Sequence, residues 1–286
     1  MNKKGKLILG TVQFGLNYGI NNSSGQVTPE AVNQILDEAG NAGVRLIDTA
    51  YGYGNSEDVL GDSPALHNHQ FRIISKYAKS NLSPIEQYKA SLKRLKVEKL
   101  YAYMVHSFQT YKDNPEIWSD FNRLKRDGLV DRIGFSLYSP KELEFILDNN
   151  LEVNIIQVPY NILDRQFEEW FPVLKNKGIE VHTRSAFLQG LFFKDRNRFE
   201  GKVKQLSKYV SLIQDYCQEH LMGVQDLALG YVLSSRADGV LIGVDSLEQL
   251  RNNIQSAERD ITSSDIDFIR SVVVEEKELL SPVNWN

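Results

Sequence analysis

The chain has 286 residues, one cysteine, 33 basic against 37 acidic side chains and a formal net charge of −4. One cysteine excludes a disulfide framework and argues against a cysteine-based zinc site, and the mild acidity argues against a basic nucleic-acid footprint. No apolar run approaches the roughly 18 residues of a membrane span, and the opening MNKKGKLILG lacks a secretory signal's long apolar stretch, so a soluble cytoplasmic protein with no nucleic-acid or membrane partner is expected.

Short apolar runs alternate with longer amphipathic stretches. Leu7 to Leu9 reads as the first strand. Thr28 is placed to cap a helix over Pro29 to Glu38, with Pro29 at its first position. Val44 to Ile47 reads as a strand that ends at Asp48, and Phe71 to Ile74 as one that ends at Ser75-Lys76. A helix over Pro84 to Leu95 leads to a strand over Leu100 to Val105, which ends at His106. The helix Glu116 to Lys125 is stopped by Gly128. Arg132 to Phe135 reads as a strand ending at Ser136, and Glu142 to Leu147 as a helix. The β-branched run Val153 to Val158 contains Gln157, and Gly178 to Val181 leads into His182. A long helical region covers Val203 to His220, and a further helix covers Asp226 to Leu233. Gly239 to Ile242 is the last strand, followed by helices that begin near Ser246 and Thr262.

Eight strand-like runs separated by helical patterns predict a parallel sheet with crossover helices. The count of eight suits a closed (β/α)8 TIM barrel filling residues 1–286 as one domain, with the two last helices closing the outer ring. An open doubly wound sheet is the alternative. It would want a G-x-G-x-x-G after the first strand, where Gly10 and Gly15 have the wrong spacing. Gly52-Tyr53-Gly54 lacks the third glycine, and no G-K-[ST] P-loop occurs.

In a barrel, chemistry sits at the C-terminal strand ends. Asp48, Lys76, His106 and Ser136 fall there at spacings of 28, 30 and 30 residues, each about one β-α repeat. Tyr53 lies in the loop between the first two. A phenol has an ordinary pKa of about 10, and a nearby ammonium lowers it. Asp48 would hold Lys76 charged and oriented, and a neutral His106 could place a substrate oxygen. The set is suited to giving a proton to a developing alkoxide, and a cofactor must then supply the hydride. The lone histidines of His67-x-His69 read as a solvated loop, so no metal site is expected. Trp118, Trp170 and Trp285 read as packing residues, with Trp285 in reach of a substrate pocket. Cys217 falls in a helix away from the strand ends, so no thiol chemistry is expected.

Over nearly its whole length the chain resembles the aldo-keto reductases. The stretch Leu46-Ile-Asp48-Thr-Ala-Tyr-Gly-Tyr53-Gly-Asn-Ser-Glu57 is similar to the family's first signature. Ile73-Ile-Ser-Lys76 resembles its lysine strand, and Met104-Val-His106 its histidine strand. The resemblance implies a (β/α)8 barrel that binds NAD(P)H in extended form and reduces a small-molecule carbonyl. It makes Tyr53 the general acid/base, tuned by Lys76 and Asp48, with His106 orienting the carbonyl. It also implies cofactor contacts from Gly10 and Thr11 after the first strand, and from Asp48. Ser136 and Gln157 would hold the nicotinamide carboxamide. Leu137 stands where the family usually has an asparagine, and Arg184 where it often has a stacking aromatic. Arg184, Ser185, Leu188 and Gly190 fall in the pyrophosphate loop. Gly243, Ser246, Gln249, Asn252 and Asn253 fall at the adenosine end, where Ser246 with Gln249 fits a capping box opening a helix.

The family habit implies NADP(H), with NAD(H) open. No basic residue stands at Gly243 or Asp245, and Asp245 would accept from a ribose 2′-OH and repel a 2′-phosphate. Arg251, Lys194, Arg196 and Arg198 are the candidate cations. The substrate loops would be Gln13 to Gly25, Ser107 to Pro115, Gly190 to Glu200 and Leu280 to Asn286. Asn17, Tyr18, Asn21, Gln109, Tyr111, Arg196 and Asn284 there suit a hydroxylated, sugar-like carbonyl compound. The wording Gln13-Phe14-Gly15-x-x-Tyr18-Gly19 also resembles bacterial members associated with sugar metabolism. A non-enzymatic NAD(P)H-binding redox sensor or accessory subunit is the alternative, which the intact tetrad opposes.

Overall fold

The computed structural model describes residues 3–20, 22 and 25–285. Eight parallel strands follow one another around a closed barrel: β1 (Leu7–Gly10), β2 (Leu46–Asp48), β3 (Arg72–Tyr77), β4 (Leu100–Val105), β5 (Val130–Ser136), β6 (Ile155–Pro159), β7 (Glu180–Arg184) and β8 (Gly239–Gly243). β8 closes on β1, with Gly10 opposite Gly243. Helices occupy every crossover. Several start where the sequence supplies a cap. Ser83 accepts from Glu86 N at 3.3 Å and Glu86 accepts in return from Ser83 N at 2.8 Å, with Pro84 at the first position of the helix Pro84–Leu95.

Two apolar shells form. Ile8, Leu46, Ile74, Ala102, Met104 and Ile155 make a small cluster inside the barrel. A larger cluster fills the space between the strands' outer faces and the helices. Because side chains alternate along a strand, Arg72, Ile74 and Lys76 share the inner face of β3, and Glu180, His182 and Arg184 that of β7. β3 thus carries polar groups to both ends of the barrel with Ile74 packing between them.

Several strands run further than their apolar runs. Asp48, Lys76, Ser136, His182 and Arg184 lie within strands, because the parallel ladder needs only backbone groups and continues under polar side chains. The helical region over Val203 to His220 is two elements, a 3-10 stretch Gly201–Leu206 and the helix Ser207–Glu219. Helices Ser56–Asp62, Pro64–Asn68, Phe108–Asp113 and Trp170–Asn176 were not anticipated. At five to seven residues they are too short to display an apolar period. Cys217 is buried in the helix Ser207–Glu219, and its thiol is pushed up to about 12 by burial and then by Asp265 and Asp226. No helix among the described residues is long and apolar enough to cross a membrane.

Candidate active site

At the C-terminal mouth the ends of β2, β3 and β6 meet through one carboxylate. Lys76 Nζ donates to Asp48 Oδ1 at 2.5 Å and to the carbonyl of Thr49 at 2.9 Å. Gln157 Nε2 donates to Asp48 Oδ2 at 2.8 Å. Asp48 and Lys76 are almost wholly buried, so the pair is compensated on every side. Tyr53 lies above it, with the ammonium 5.3 Å from its ring centroid. His106 follows β4 and meets the Tyr53 ring edge to face, with centroids 5.4 Å apart.

The loop that carries Tyr53 is fixed by close backbone contact. A Cβ at Gly15 would stand 1.8 Å from the Tyr53 carbonyl oxygen, and one at Gly54 would stand 2.4 Å from the Gly15 oxygen. Gly54 also has φ of 56°, where glycine is favoured. Hydroxyls finish the seam. Ser56 Oγ donates to the Thr11 carbonyl at 2.9 Å, and Thr11 Oγ1 donates to the Asp48 carbonyl at 3.0 Å.

The electrostatics keep both proton-bearing rings neutral. Burial lowers His106 to about 3, helped by the charges of Lys76 and Arg184. Burial and then Asp48 raise the Tyr53 phenol above its ordinary value, with Arg184 opposing. The Lys76 ammonium is engaged with Asp48, and burial outweighs its pull on the phenol. Burial lowers Lys76 itself, and Asp48 pulls it back up.

Tyr53 and His106 line a cavity of about 630 Å³ that continues past Ser136, Gln157 and Arg184 to Gly243, Asp245, Gln249 and Asn253. A second cavity of about 490 Å³ shares His106 and Tyr138 with it and is bounded by Lys79, Thr110, Glu142 and the tail residues Ser281, Val283 and Asn284.

The aldo/keto reductase family profile matches residues 6–274. The chain belongs to the aldo/keto reductase family. It is 27% identical over 267 residues to YqkF of Bacillus subtilis (strain 168), an uncharacterized oxidoreductase, covering 83% of this chain and 86% of that one. It is 25% identical over 297 residues to a second uncharacterized oxidoreductase of that organism, YrpG, covering 88% and 87%. Its fold matches the holo form of aldo-keto reductase AKR11C1 from Bacillus halodurans with a TM-score of 0.76 at 23% identity, over 95% of this chain and 94% of that one. The family is one of oxidoreductases, and its barrel is the fold seen here.

Of the residues that the family resemblance assigned to the cofactor, Gly10, Thr11, Asp48, Ser136, Gln157, Arg184, Ser185, Gly190, Gly243, Gln249 and Asn253 line the main cavity. Three do not. Leu188 is fully buried in the core, Ser246 caps the helix Leu247–Ala257 by accepting from Gln249 N at 3.2 Å, and Asn252 is exposed. Arg184 stacks on Tyr138 at 4.3 Å and donates to the Leu137 carbonyl at 3.0 Å. The turn after it is strained: Ser185, Leu188 and Gln189 all have positive φ (63°, 44° and 54°). Asn161 holds that turn by donating to the Ser185 carbonyl at 3.1 Å.

The expected cations are engaged elsewhere. Arg251 is bound to Glu38, Arg196 to Asp215 and Arg198 to Asp195, and Lys194 does not line the cavity. In the substrate loops, Tyr18 lines the main cavity and Asn284 the second. Asn17 lines neither, Gln109 bonds Asp113, and Tyr111 is buried among aromatic rings. Asn21 lies outside the described residues. Trp285 donates to the Leu279 carbonyl and lines neither cavity. Gln13, Tyr138, Gln189 and Gln225 also line the main cavity. Gln13 opens an expected substrate loop and Gln189 falls in the expected pyrophosphate loop, neither with a role assigned to it. Tyr138 and Gln225 had no sequence signal.

Proposed function

We propose that this family member reduces an aldehyde or ketone to an alcohol with a nicotinamide cofactor, Tyr53 giving the proton. The observation that carries the reading is the meeting of a neutral phenol, a neutral imidazole and a buried Lys76–Asp48 pair at one end of a single cavity. Reduced NAD(P)H, when bound, supplies the hydride. The cavity fits such a group: Ser136 and Gln157 offer a hydroxyl and an amide oxygen, complementary to a carboxamide, and Gln157 is fixed by Asp48. The wall from Ser185 to Gly190 would hold the pyrophosphate, and the lobe from Gly243 to Asn253 the second nucleotide.

Tyr53 keeps its proton until a substrate oxygen gains negative charge. His106, neutral across the physiological range, orients that oxygen without competing for the proton. Lys76 provides positive charge under the phenol as the proton leaves, and Asp48 and Gln157 hold it in place. The polar rim of the two cavities, with Tyr18, Gln189, Lys79, Thr110, Glu142 and Asn284, supports a hydroxylated, sugar-like carbonyl substrate. The deciding experiment is a panel of aldoses, sugar derivatives, simple aldehydes and bulky apolar ketones, run with wild type and Tyr53→Phe. Turnover by wild type excludes a purely sensory role. Reduction retained by Tyr53→Phe would overturn the mechanism, and activity confined to bulky ketones would overturn the substrate class.

A further inference from the structure

We infer that the cleft selects NADH over NADPH and that Asp245 sets the choice. The inference rests on the nicotinamide reading above and adds which dinucleotide the cleft takes.

The cavity is continuous from Tyr53 to Asp245. Barrels commonly place a phosphate-binding site at the loops after the seventh and eighth strands. A dinucleotide with its nicotinamide at Tyr53 therefore carries its second ribose into the lobe made by Gln13, Gln225, Gly243, Asp245, Gln249 and Asn253. Two oxygen acceptors wait there without a donor. Asp245 Oδ1 and Gln13 Oε1 are buried and have no hydrogen-bond partner, while the Gln249 side chain bonds the Asp245 carboxylate. The Gln13 side chain is about nine-tenths buried, and it sits so close to Gly243 that a Cβ there would be 2.6 Å from its amide nitrogen. A glutamine amide can turn and offer its NH2 instead. A carboxylate only accepts. An orphan carboxylate oxygen is matched by a hydroxyl, which a ribose 2′-OH provides and a 2′-phosphate does not.

Among the described residues no cationic side chain lines the lobe. Arg184 is the one cation lining the cavity among the described residues, and it stands at the catalytic end on Tyr138. Arg251, on the adjoining helix, gives both its Nε and its Nη2 to Glu38 Oε2, at 3.0 and 2.7 Å. Two backbone donors at the entrance of the helix Leu247–Ala257 are also engaged. Asp245 N donates to Gln249 Oε1 at 2.8 Å, and Gln249 N donates to Ser246 Oγ. A 2′-phosphate would bring its negative charge to Asp245 with no partner, a like-charge contact that rejects ligands.

The test is direct binding, read as quenching of protein fluorescence during titration with NADH and with NADPH at low salt. Wild type, Asp245→Asn and Asp245→Lys are compared, with circular dichroism as the check on folding. In wild type NADH binds at least about tenfold more tightly than NADPH. Asp245→Asn brings the two dissociation constants within about threefold, and Asp245→Lys reverses their order. Equal or tighter binding of NADPH by wild type overturns the inference. A ratio unmoved in both folded variants overturns the role of Asp245. If neither dinucleotide binds wild type, the nicotinamide reading itself falls, an outcome distinct from a wrong preference between two bound forms.

Discussion

The barrel holds a cluster of ionisable side chains at each mouth, and the same strands supply both. β3 carries Arg72 to one end and Lys76 to the other, and β7 carries Glu180 and Arg184. At the N-terminal mouth the charged groups are answered from within the protein, and His182 Nδ1 alone in that cluster is buried without a partner. Glu180 accepts from Tyr101 Oη at 2.5 Å, from Arg132 Nε at 3.4 Å, and shares a 2.6 Å bond with His182 Nε2. Arg72 lies 4.5 Å over the Tyr101 ring. Burial opposes the charge of Glu180, but His182, Tyr101 and Arg132 together hold it down to about 2. At the C-terminal mouth Lys76, Asp48 and Arg184 are answered in this way. Tyr53 and His106 face a cavity, and burial pushes both toward their neutral forms. Polar valences closed inside the protein make a structural plug. Valences left to a cavity, with shifted protonation, mark a site prepared for a ligand.

Three substitutions break the comparison. Tyr53→Phe removes one hydroxyl from the open cluster and is expected to lower kcat/KM about 1,000-fold, with melting temperature and cofactor dissociation constant nearly unchanged. Lys76→Met is expected to act on both counts, because it strips a cation from the phenol and leaves Asp48 buried without its partner. Stability should fall by about 3–5 kcal/mol in denaturant titrations, together with activity. Glu180→Gln is expected to cost about 2–3 kcal/mol of stability while kcat and KM stay within about threefold of wild type. A large kinetic effect at Glu180 would show that the two mouths are coupled rather than separate.

Much of the open cluster was legible in the sequence, and little of the closed one. Asp48, Lys76, His106 and Ser136 repeat at about one β-α unit, so strand-end position alone gathers them. His182 read only as the residue after an apolar run, because the sequence does not mark Glu180, Tyr101 and Arg132 as sharing one end of a barrel. Long-range pairing was equally opaque. Arg251 looked available to a phosphate, yet its partner Glu38 is 213 residues away in the chain. Leu188 and Asn252 lie off the cavity for a local reason. A strained turn and one step around a helix decide which neighbour faces the cleft, and Asn253 does where Asn252 does not.

The finest difference between the mouths is their response to acid. His106 has its ordinary value of 6.5 lowered to about 3 in the folded protein. The unfolded chain therefore takes up its proton first, and stability erodes as pH falls from about 6.5 toward 3. Glu180 is shifted from 4.5 to about 2, so its contribution is complete above about 4.5 and is lost as pH falls toward 2. Asp164, raised to about 6 by burial, binds its proton earlier in the fold than in the unfolded chain and works in the opposite direction. Raw melting curves thus sum opposing slopes, and differences between variants isolate each group. His106→Gln is expected to flatten the loss of stability between pH 6.5 and 4, by on the order of 1–2 kcal/mol at pH 5. Glu180→Gln should leave that window intact and alter the curve only below about 4.5. If His106→Gln left the slope above pH 5 unchanged, the imidazole would be taking up protons freely in the folded state. The open mouth would then be far wetter than its burial indicates.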